Sequence, residues 1–292
     1  MTDFVCHWVD AFTDTPFGGN GCAVVQDGAH LETETCLNFV RETSLVECTF
    51  LGPSERADLH VRYYLASREI PFAGHPTVAS VIAAHAAGKV GTGDLVLETG
   101  AGLIPVHLSA DGKTVTMRQN APVFGPEASP MLVAASIGLD PQDLGAVPQV
   151  VSTGLPFVIT LVKDPDQQKL AQLSISGLSD LRASLGVENA DVMEPFIVSL
   201  GGATPEGDTF ARLLLAPPNP PEDPFTGSAT GAMAAYLWAK GLIDKPEFTA
   251  EQGHHMGRPG RAKVRVLGAR DAIDAVEVAG SGHILMSGHL HL

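Results

Sequence analysis

The chain has 292 residues, 45% of them hydrophobic, and a formal net charge of −15 at neutral pH. That length is enough for two domains of ordinary size, and the apolar fraction is enough to give each domain a core. Acidic residues outnumber lysine and arginine by 33 to 18. This balance argues against a nucleic-acid or anionic-membrane partner, because either would require a basic surface.

The sequence also predicts a cytoplasmic location. No apolar run reaches the roughly 18 residues of a membrane-spanning helix, and the segment from Met1 to Cys6 lacks the pattern of a signal peptide. The four cysteines, Cys6, Cys22, Cys36 and Cys48, form no Cys-x-x-Cys pair. Free buried thiols in a reducing compartment are the simplest interpretation.

The first 120 residues are predicted to be rich in strands. Alternating apolar residues and strand formers predict strands over residues 4–12, 22–25, 46–51, 59–65, 95–98, 103–108 and 115–118. Helical spacing and stop signals predict helices over 32–43 and 77–87. A cluster of glycine, proline and aspartate over residues 13–20 predicts the turn between the first two strands.

The rest of the chain follows a similar pattern. Residues 120–130, with three prolines and a glycine, are predicted to be a linker. Strands are predicted over 150–152, 157–162, 196–200, 210–215, 264–267, 275–278 and 284–292, and helices over 130–137, 178–185 and 230–240. Many strands with short connections favour an α+β fold with mixed, largely antiparallel sheets and a helix in each half, rather than a doubly wound parallel sheet.

One stretch of sequence occurs twice. Residues 71–77 read Pro-Phe-Ala-Gly-His-Pro-Thr and residues 224–230 read Pro-Phe-Thr-Gly-Ser-Ala-Thr, an offset of 153. The same offset relates residues 98–100 to residues 251–253, and an offset of 150 relates the strand around Arg62 to the strand around Arg212. We therefore expect two similar halves, each presenting a glycine turn and a helix N-terminus to a shared cleft.

The two turns offer groups that suit an anion. Backbone NH groups of Gly74 and Gly227, at the positive ends of two helices, would bind a substrate carboxylate, and His75 and Ser228 add side-chain donors. The alternative is that the glycines only turn a strand into a helix.

Two acidic residues distinguish the halves. Asp223 stands directly before the second turn, and the first copy has Ile70 at that position. Glu47 lies in an otherwise apolar strand. Adding the offset of 150 to its number leads to Ile197, which carries no charge. Partial burial would raise the pKa of such a glutamate, as a general acid or base working near neutral pH requires. A surface position for Glu47, and a solvated or helix-capping role for Asp223, are the alternatives.

Other candidate groups are weaker. His289 and His291 share one face of a predicted strand and could bind a metal, but incidental histidines in a terminal strand are the simpler interpretation, and His254 and His255 have no more support. The sequence contains no phosphate loop, dinucleotide fingerprint, His-Glu-x-x-His motif or Gly-x-Ser-x-Gly elbow. No metal or cofactor is predicted.

Six stretches, in order from one end of the chain to the other, resemble the phenazine-biosynthesis PhzF-like family. They lie within residues 9–20, 47–50, 71–77, 152–156, 222–229 and 251–259. They include Pro16-Phe17-Gly18-Gly19-Asn20, Ser152-Thr153-Gly154-Leu155-Pro156 and Glu222-Asp223-Pro224. As a set, these motifs are highly specific.

The resemblance implies a diaminopimelate-epimerase-like fold. In that fold two pseudo-symmetric halves each wrap a curved sheet around a central helix, and the active site lies in the cleft between them. The domains would be residues 1–120 and 121–282, with a last strand over 283–292 that crosses back to the first domain.

The resemblance also implies a function. It makes the chain a cofactor-independent isomerase that moves a proton between carbons of a small, carboxylate-bearing, dihydroaromatic or amino-acid-like substrate, and a homodimer. The family's best-known activity is the isomerisation of a dihydro-hydroxyanthranilate. The implied catalytic residues are Glu47 as general acid/base, His75 and Asp223, and the implied substrate-binding residues are Gly74, Gly227, Ser228 and Asn20.

The chain departs from its relatives at several positions. Related epimerases place a cysteine at each repeat turn, whereas this chain has Ala73 and Thr226, so we do not expect a two-thiol racemase. Ala66 stands where the family often has proline, and Cys48 replaces the usual serine or threonine, which leaves the substrate open. A lyase or epimerase acting on a hydroxy or amino acid, and a non-catalytic small-molecule binding protein, are the alternative hypotheses.

Overall fold

The computed structural model describes residues 2–187, 194–217 and 219–292. The chain divides into two units, Met1–Arg118 with Ala279–Leu292 and Gln119–Val278. The last strand, β17 (Ala272–His291), begins in the second unit and ends in the first. Among the described residues, no helix combines the length and the apolar character needed to span a membrane.

The first unit is a mixed sheet built around one helix. Its strands are β1 (Asp3–Ala11), β2 (Asn20–Val25), β3 (Glu47–Gly52), β4 (Leu59–Leu65), β5 (Glu69–Ile70), β6 (Gly93–Thr99), β7 (Gly102–Leu108) and β8 (Thr114–Gln119), and its helices are α1 (Thr33–Thr43) and α2 (Gly74–Ala86). The strand order is β17–β1–β2–β3–β4–β6–β7–β8, with β5 paired to β4. The β2–β3 and β4–β6 pairs are parallel, and the others are antiparallel.

Helix α2 is the core of this unit because its residues are small or apolar on every side. Each of its residues from Gly74 to Ala84 is buried, and the helix packs against β1, β2 and β3. Side chains on a strand alternate between faces. Thr49 of β3 accordingly bonds Ser80 of α2 at 2.9 Å, while its neighbour Phe50 joins the apolar cluster around α1.

The second unit repeats this plan. Its strands are β9 (Val123–Glu127), β10 (Gln149–Ser152), β11 (Pro156–Leu161), β12 (Pro195–Leu200), β13 (Thr209–Leu214), β14 (Glu222–Asp223), β15 (Glu247–Gln252) and β16 (Gly260–Ala269), and its helices are α3 (Pro130–Ile137), α4 (Pro165–Leu170), α5 (Ile175–Ser184) and α6 (Gly227–Ala239). The strand order is β9–β10–β11–β12–β13–β15–β16, with β14 paired to β13. The β11–β12 and β13–β15 pairs are parallel. Buried α6 takes the place of α2.

The two pairing schemes match strand for strand. The series β1–β2–β3–β4–β6–β7 has the same sequence of parallel and antiparallel pairs as β10–β11–β12–β13–β15–β16. The duplication seen in the sequence is therefore a duplication of the fold.

An arginine–glutamate pair recurs at the same place in both units. Arg62 Nη2 lies 2.8 Å from Glu69 Oε2, and Arg212 Nη2 lies 2.8 Å from Glu222 Oε2. Arg62 also donates to the backbone carbonyls of Ala29 and Leu31. Arg212 likewise donates to backbone carbonyls at the end of α4, those of residues 168, 169 and 171. These contacts tie the short strand before each repeat turn to the rest of its unit.

A second recurring contact involves a hydroxyl and a glutamate. Ser54 Oγ donates to Glu98 Oε2 at 2.5 Å, and Thr204 Oγ1 donates to Glu251 Oε1 at 2.6 Å. The second pair is the more buried, because Glu251 has no exposed surface and also accepts from Arg261. The same fold position thus holds a partly exposed acid in one half and a fully buried acid in the other.

Glu251 makes the second unit sensitive to acid. Burial by itself raises the pKa of Glu251, but hydrogen bonds from Thr204 and Arg261 outweigh it, and the pKa lies below the ordinary 4.5. A lowered pKa in the folded state stabilises the fold at pH values above the ordinary pKa. That stability is lost as the pH falls from about 4.5 through the folded-state pKa.

Urea unfolding between about pH 6 and pH 3 measures this effect. Glu251→Gln is expected to flatten the decline in the free energy of unfolding below about pH 4.5. Glu98→Gln is the matched control, and its effect should be smaller because its partner Arg56 is 67% exposed and screened by water. An unchanged pH dependence in Glu251→Gln would contradict the prediction.

The structure corrects three predicted elements. The linker predicted over 120–130 contains β9, an edge strand that tolerates Gly125 and Pro126 because its pairing with β10 is irregular there. The central helices begin at Gly74 and Gly227, three residues before the predicted starts. The strands predicted over 275–278 and 284–292 are parts of β17, which is continuous.

Candidate active site

Glu47 occupies the end of an apolar strand. It is the first residue of β3, whose other side chains are buried, and its neighbours across the sheet are Cys22 and Leu65. The Glu47 side chain keeps 14% of its surface exposed. The carboxylate is therefore shielded by the sheet on one side and accessible on another, as a group that meets a substrate must be.

His75 brings an imidazole to this carboxylate. It is the second residue of α2, and its Nδ1 lies 3.4 Å from Glu47 Oε2 and 3.0 Å from Asn20 Nδ2. An unprotonated Nδ1 accepts a hydrogen bond from the amide of Asn20, whereas a protonated Nδ1 donates to Glu47. The ring can therefore gain or lose a proton and keep a partner in either state. The structure brings these three predicted residues together within the first unit.

The loop before β2 places Asn20. Asp10, which is fully buried on β1, accepts a hydrogen bond from the backbone NH of Phe17 at 2.9 Å. Gly19 has a φ of +50°, and a Cβ at this position would overlap the carbonyl oxygen of Ala11. Only glycine fits there, which gives a physical reason for the Gly-Gly-Asn sequence.

The second turn holds the other predicted acid. Asp223 is 6% exposed, and its Oδ2 accepts a hydrogen bond from Thr226 Oγ1 at 2.5 Å. Gly227 and Ser228 are the first two residues of α6, as Gly74 is the first of α2. Neither helix receives a side-chain hydrogen bond from its N-cap residue, so the NH groups of the first turn are not capped in that way.

Gln119 is a residue of this region that the sequence reasoning missed. Its Nε2 donates to the carbonyl of Gly227 at 2.9 Å, and its Oε1 accepts from Thr153 Oγ1 at 2.5 Å. It thereby connects the start of α6 to the loop around Gly154. The signals that could have found it are the second Pro-Phe-x-Gly turn and the Ser-Thr-Gly motif, but only the folded structure relates them.

Gly231→Ala is expected to destabilise the protein by about 1–3 kcal/mol, because a Cβ at this position would overlap Gln119 Oε1. The strain would disturb the hydrogen bonds of Gln119 to both Gly227 and Thr153. Gly91→Ala is the control, since a Cβ there meets nothing within 4 Å. Urea unfolding of both variants measures the difference, and equal stability of the two would contradict the prediction.

Sheet register shows that the match predicted for Glu47 is wrong. Arg62 on β4 lies opposite Phe50 on β3, whereas its counterpart Arg212 on β13 lies opposite Ile197 on β12. Ile197 therefore corresponds to Phe50 and not to Glu47. A constant offset of 150 fails here because the lengths of the loops between the paired strands differ.

The counterpart of Glu47 is Glu194, three residues before Ile197. Glu194 is 3% exposed, and its Oε1 lies 3.0 Å from Arg182 Nη2. A guanidinium stays charged, so Glu194 is an ion-pair partner, whereas Glu47 faces an imidazole whose charge can change. Both halves carry an acid at this place, and the partner of that acid distinguishes them.

The remaining histidine candidates have ordinary partners. His289 Nδ1 and His291 Nδ1 lie 3.0 Å and 3.1 Å from the two oxygens of Asp3, and His255 packs on the ring of Phe210. Within residues 2–187, 194–217 and 219–292, no group of three or more His, Cys, Asp or Glu side chains is arranged to hold a metal ion.

Comparisons with known proteins add to this geometry. The sequence pattern of a family described as phenazine biosynthesis-like protein matches residues 9–288. A trans-2,3-dihydro-3-hydroxyanthranilate isomerase of Pseudomonas aeruginosa is 31% identical over 291 residues, covering 97% of this chain and 98% of that protein. An uncharacterized isomerase of Bacillus subtilis is 28% identical, covering 88% of each chain.

A solved structure shares the whole fold. The phenazine biosynthesis protein of the PhzF family from Bacillus anthracis superposes with a TM-score of 0.88 at 27% identity, covering 100% of both chains. The predicted two-half α+β fold is confirmed. The predicted enzyme class, an isomerase, is confirmed by the relatives.

Proposed function

Because the chain belongs to the phenazine biosynthesis-like (PhzF) family, we propose that it catalyses a cofactor-independent isomerisation in which Glu47 moves a proton between two carbons of a small carboxylate-bearing substrate. The carboxylate of Glu47 takes a proton from one carbon, and the electron pair of the broken C–H bond shifts along the adjacent double bonds. The carboxylic acid so formed then returns the proton to a second carbon. Atoms and charge balance without any other reactant.

The observation that carries this proposal is the contact between Glu47 and His75. A carboxylate 3.4 Å from an imidazole, at the accessible end of a buried strand, has the two features of a general acid/base: access to substrate and a partner that responds to its charge. When Glu47 is ionised, a protonated His75 stabilises it. When Glu47 holds the substrate's proton, His75 keeps its own proton, so the one proton that moves is the one that Glu47 takes and returns.

The cysteines do not offer an alternative base. Burial raises the pKa of the Cys48 thiol to about 12, and burial raises the pKa of Cys22 well above its ordinary value. Both thiols are therefore protonated near neutral pH, and a protonated thiol does not abstract a proton from carbon. Ala73 and Thr226, at the turns, supply no thiol at all.

The proposal assigns substrate binding to the repeat turns. The backbone NH groups of Gly74 and Gly227 and the side chain of Ser228 are proposed to bind the substrate carboxylate, since helix N-termini favour negative charge. Asp223 is proposed to act as a catalytic residue together with Glu47 and His75. The relative from Pseudomonas aeruginosa is named for a dihydro-hydroxyanthranilate, so dihydroaromatic amino acids are the first class to test.

Proton NMR in heavy water tests the proposed function. Incubation of the enzyme with dihydroaromatic and cyclic amino acids is expected to isomerise at least one of them and to place deuterium on the carbon that receives the proton. Compounds that raise the melting temperature would be assayed first, because ligand binding stabilises the folded state. A bound substrate that loses water and gains no deuterium would point instead to a lyase.

We propose in addition that the enzyme is cytoplasmic and, as its family resemblance implies, a homodimer. Light scattering of the purified protein measures the assembly directly. A single species at the mass of one chain, 30.5 kDa, would exclude the dimer.

A further inference from the structure

We propose that Thr226 and Gln252 are positioning residues that fix the orientation of the Asp223 carboxylate for the reaction. This inference rests on the proposed function, because it gives a task to two residues that are placed to act through Asp223. It extends the site beyond the residues that were predicted from the sequence.

The three residues form one buried network. Gln252 Oε1 accepts from the backbone NH of Thr226 at 3.0 Å, and Gln252 Nε2 donates to the carbonyl of Asp223 at 2.8 Å and to Thr226 Oγ1 at 3.2 Å. Thr226 Oγ1 in turn donates to Asp223 Oδ2 at 2.5 Å. Gln252, Asp223 and Thr226 are 1%, 6% and 8% exposed, so water does not compete strongly for these bonds.

The hydrogen bonds in this network have a fixed direction. The backbone NH of Thr226 can only donate, so the side-chain oxygen of Gln252 must face it and the side-chain nitrogen must face Thr226 Oγ1. Because Oγ1 already accepts from Gln252, its own proton goes to Asp223 Oδ2. A short hydrogen bond from a hydroxyl to a carboxylate is among the stronger ones in proteins, and it fixes both the rotation of the carboxylate and the oxygen that acts as acceptor.

Comparison of the two halves separates this network from the general construction of the turn. Some contacts recur in both halves: Thr77 Oγ1 donates to the carbonyl of Ala73, and Thr230 Oγ1 donates to the carbonyl of Thr226. A Cβ at Gly100 would likewise crowd Pro71, as one at Gly253 would overlap the carbonyl of Pro224. These contacts are what either turn needs in order to fold.

The network itself occurs only in the half that has the acid. In the first half, Ile70, Ala73 and Thr99 occupy the positions of Asp223, Thr226 and Gln252. Thr99 Oγ1 donates to the carbonyl of Gly102 and, within the part of the chain that the structure describes, makes no hydrogen bond to Ile70 or Ala73. The three members are present together in one half and absent together in the other, which indicates that the network serves Asp223 and not the turn.

Substitutions at Thr226 test the proposal. Thr226→Val keeps the shape of the side chain and removes the hydroxyl, whereas Thr226→Ser keeps the hydroxyl. We expect Thr226→Val to lower kcat by about 10-fold to 100-fold with little change in KM, since a misplaced group costs rate more than binding. Thr226→Ser should stay within about threefold of the parent, because the bond to Asp223 is retained. A Thr226→Ser enzyme as slow as Thr226→Val would overturn the proposal.

A double-mutant cycle shows whether Thr226 acts through Asp223. In an Asp223→Asn background, Thr226→Val is expected to cause no further loss of kcat, because the group that it positions has already been changed. Equal losses in both backgrounds would mean that Thr226 acts independently of Asp223, and the proposal would fail.

A substrate-free measurement separates this inference from the proposed function. In protein labelled with ¹³C-aspartate, the carboxyl resonance of Asp223, assigned through its loss in Asp223→Asn, is expected to shift in Thr226→Val and to stay in place in Thr226→Ser. This result would support the network even if the heavy-water assay found no isomerase activity. A resonance that is unmoved in Thr226→Val would overturn the network even in an active enzyme.

Discussion

Glu47→Gln is expected to slow isomerisation and deuterium uptake by roughly 100-fold to 10,000-fold, the usual contribution of a general acid/base. Glutamine keeps the size of the side chain and can still meet His75, but it cannot take a proton from carbon near neutral pH. The fold should be unaffected, because Glu47 lies at the start of β3 and keeps 14% of its side-chain surface exposed. Initial rates by proton NMR in heavy water measure the loss.

Glu194→Gln is the matched control for this experiment. It makes the same chemical change at the corresponding place in the second unit, where the acid is paired with Arg182. Glu194→Gln should lower the free energy of unfolding and leave the rate per folded molecule unchanged. A Glu47→Gln enzyme that exchanges and isomerises as fast as its parent would remove Glu47 from the mechanism.

Arg212→Met is expected to lower the free energy of unfolding by about 3–5 kcal/mol, the range for removing one partner of a buried ion pair. Its side chain is 10% exposed and that of Glu222 is 13% exposed, so the substitution would leave a largely buried carboxylate without its counter-ion. It would also remove the donor to the carbonyls at the end of α4. Urea unfolding measures the change.

The first unit supplies the control for this prediction. Arg62→Met removes the equivalent pair, but Arg62 and Glu69 are 18% and 38% exposed, so water can replace more of the lost interaction. We expect a smaller loss than for Arg212→Met. A loss as large or larger at Arg62 would show that burial does not set the cost of these pairs.

The sequence predicts much of this fold because the two units share both a strand scheme and recognisable sequence motifs. The repeated Pro-Phe-x-Gly turn located both central helices, and the two arginine strands aligned with it at a nearly constant spacing. Alternation of apolar residues predicted most strands to within a few residues. The strands β5, β9, β14 and β15 were not predicted. The failure at β9 has a local cause, since proline is usually a sign of a loop and is tolerated here at a sheet edge.

The candidate site was predicted less completely, because its residues meet through sheet register. Glu47 and His75 are 28 residues apart, and their contact depends on β3 beginning beside the first turn of α2. A constant offset also fails to relate Glu47 to Glu194, because loops of unequal length change the number of residues between corresponding positions of the two halves. Gln252 belongs to the Glu-Gln-Gly motif of residues 251–253, but its proposed role depends on hydrogen bonds to a turn 26 residues earlier.

Strand β17 also constrains when this protein can fold. It pairs with β1 along the whole of that strand, from Asp3 opposite His291 to Ala11 opposite Gly282. Thr2 and Leu292 exchange backbone hydrogen bonds beyond it, of 2.6 Å and 3.0 Å. During synthesis the first 118 residues of this sequence are made before the second unit, but residues 279–292, which complete the sheet at β1, follow that unit. The unit that holds Glu47 and His75 therefore completes its sheet only after the second unit has been made, and removal of residues 279–292 would expose the edge of β1.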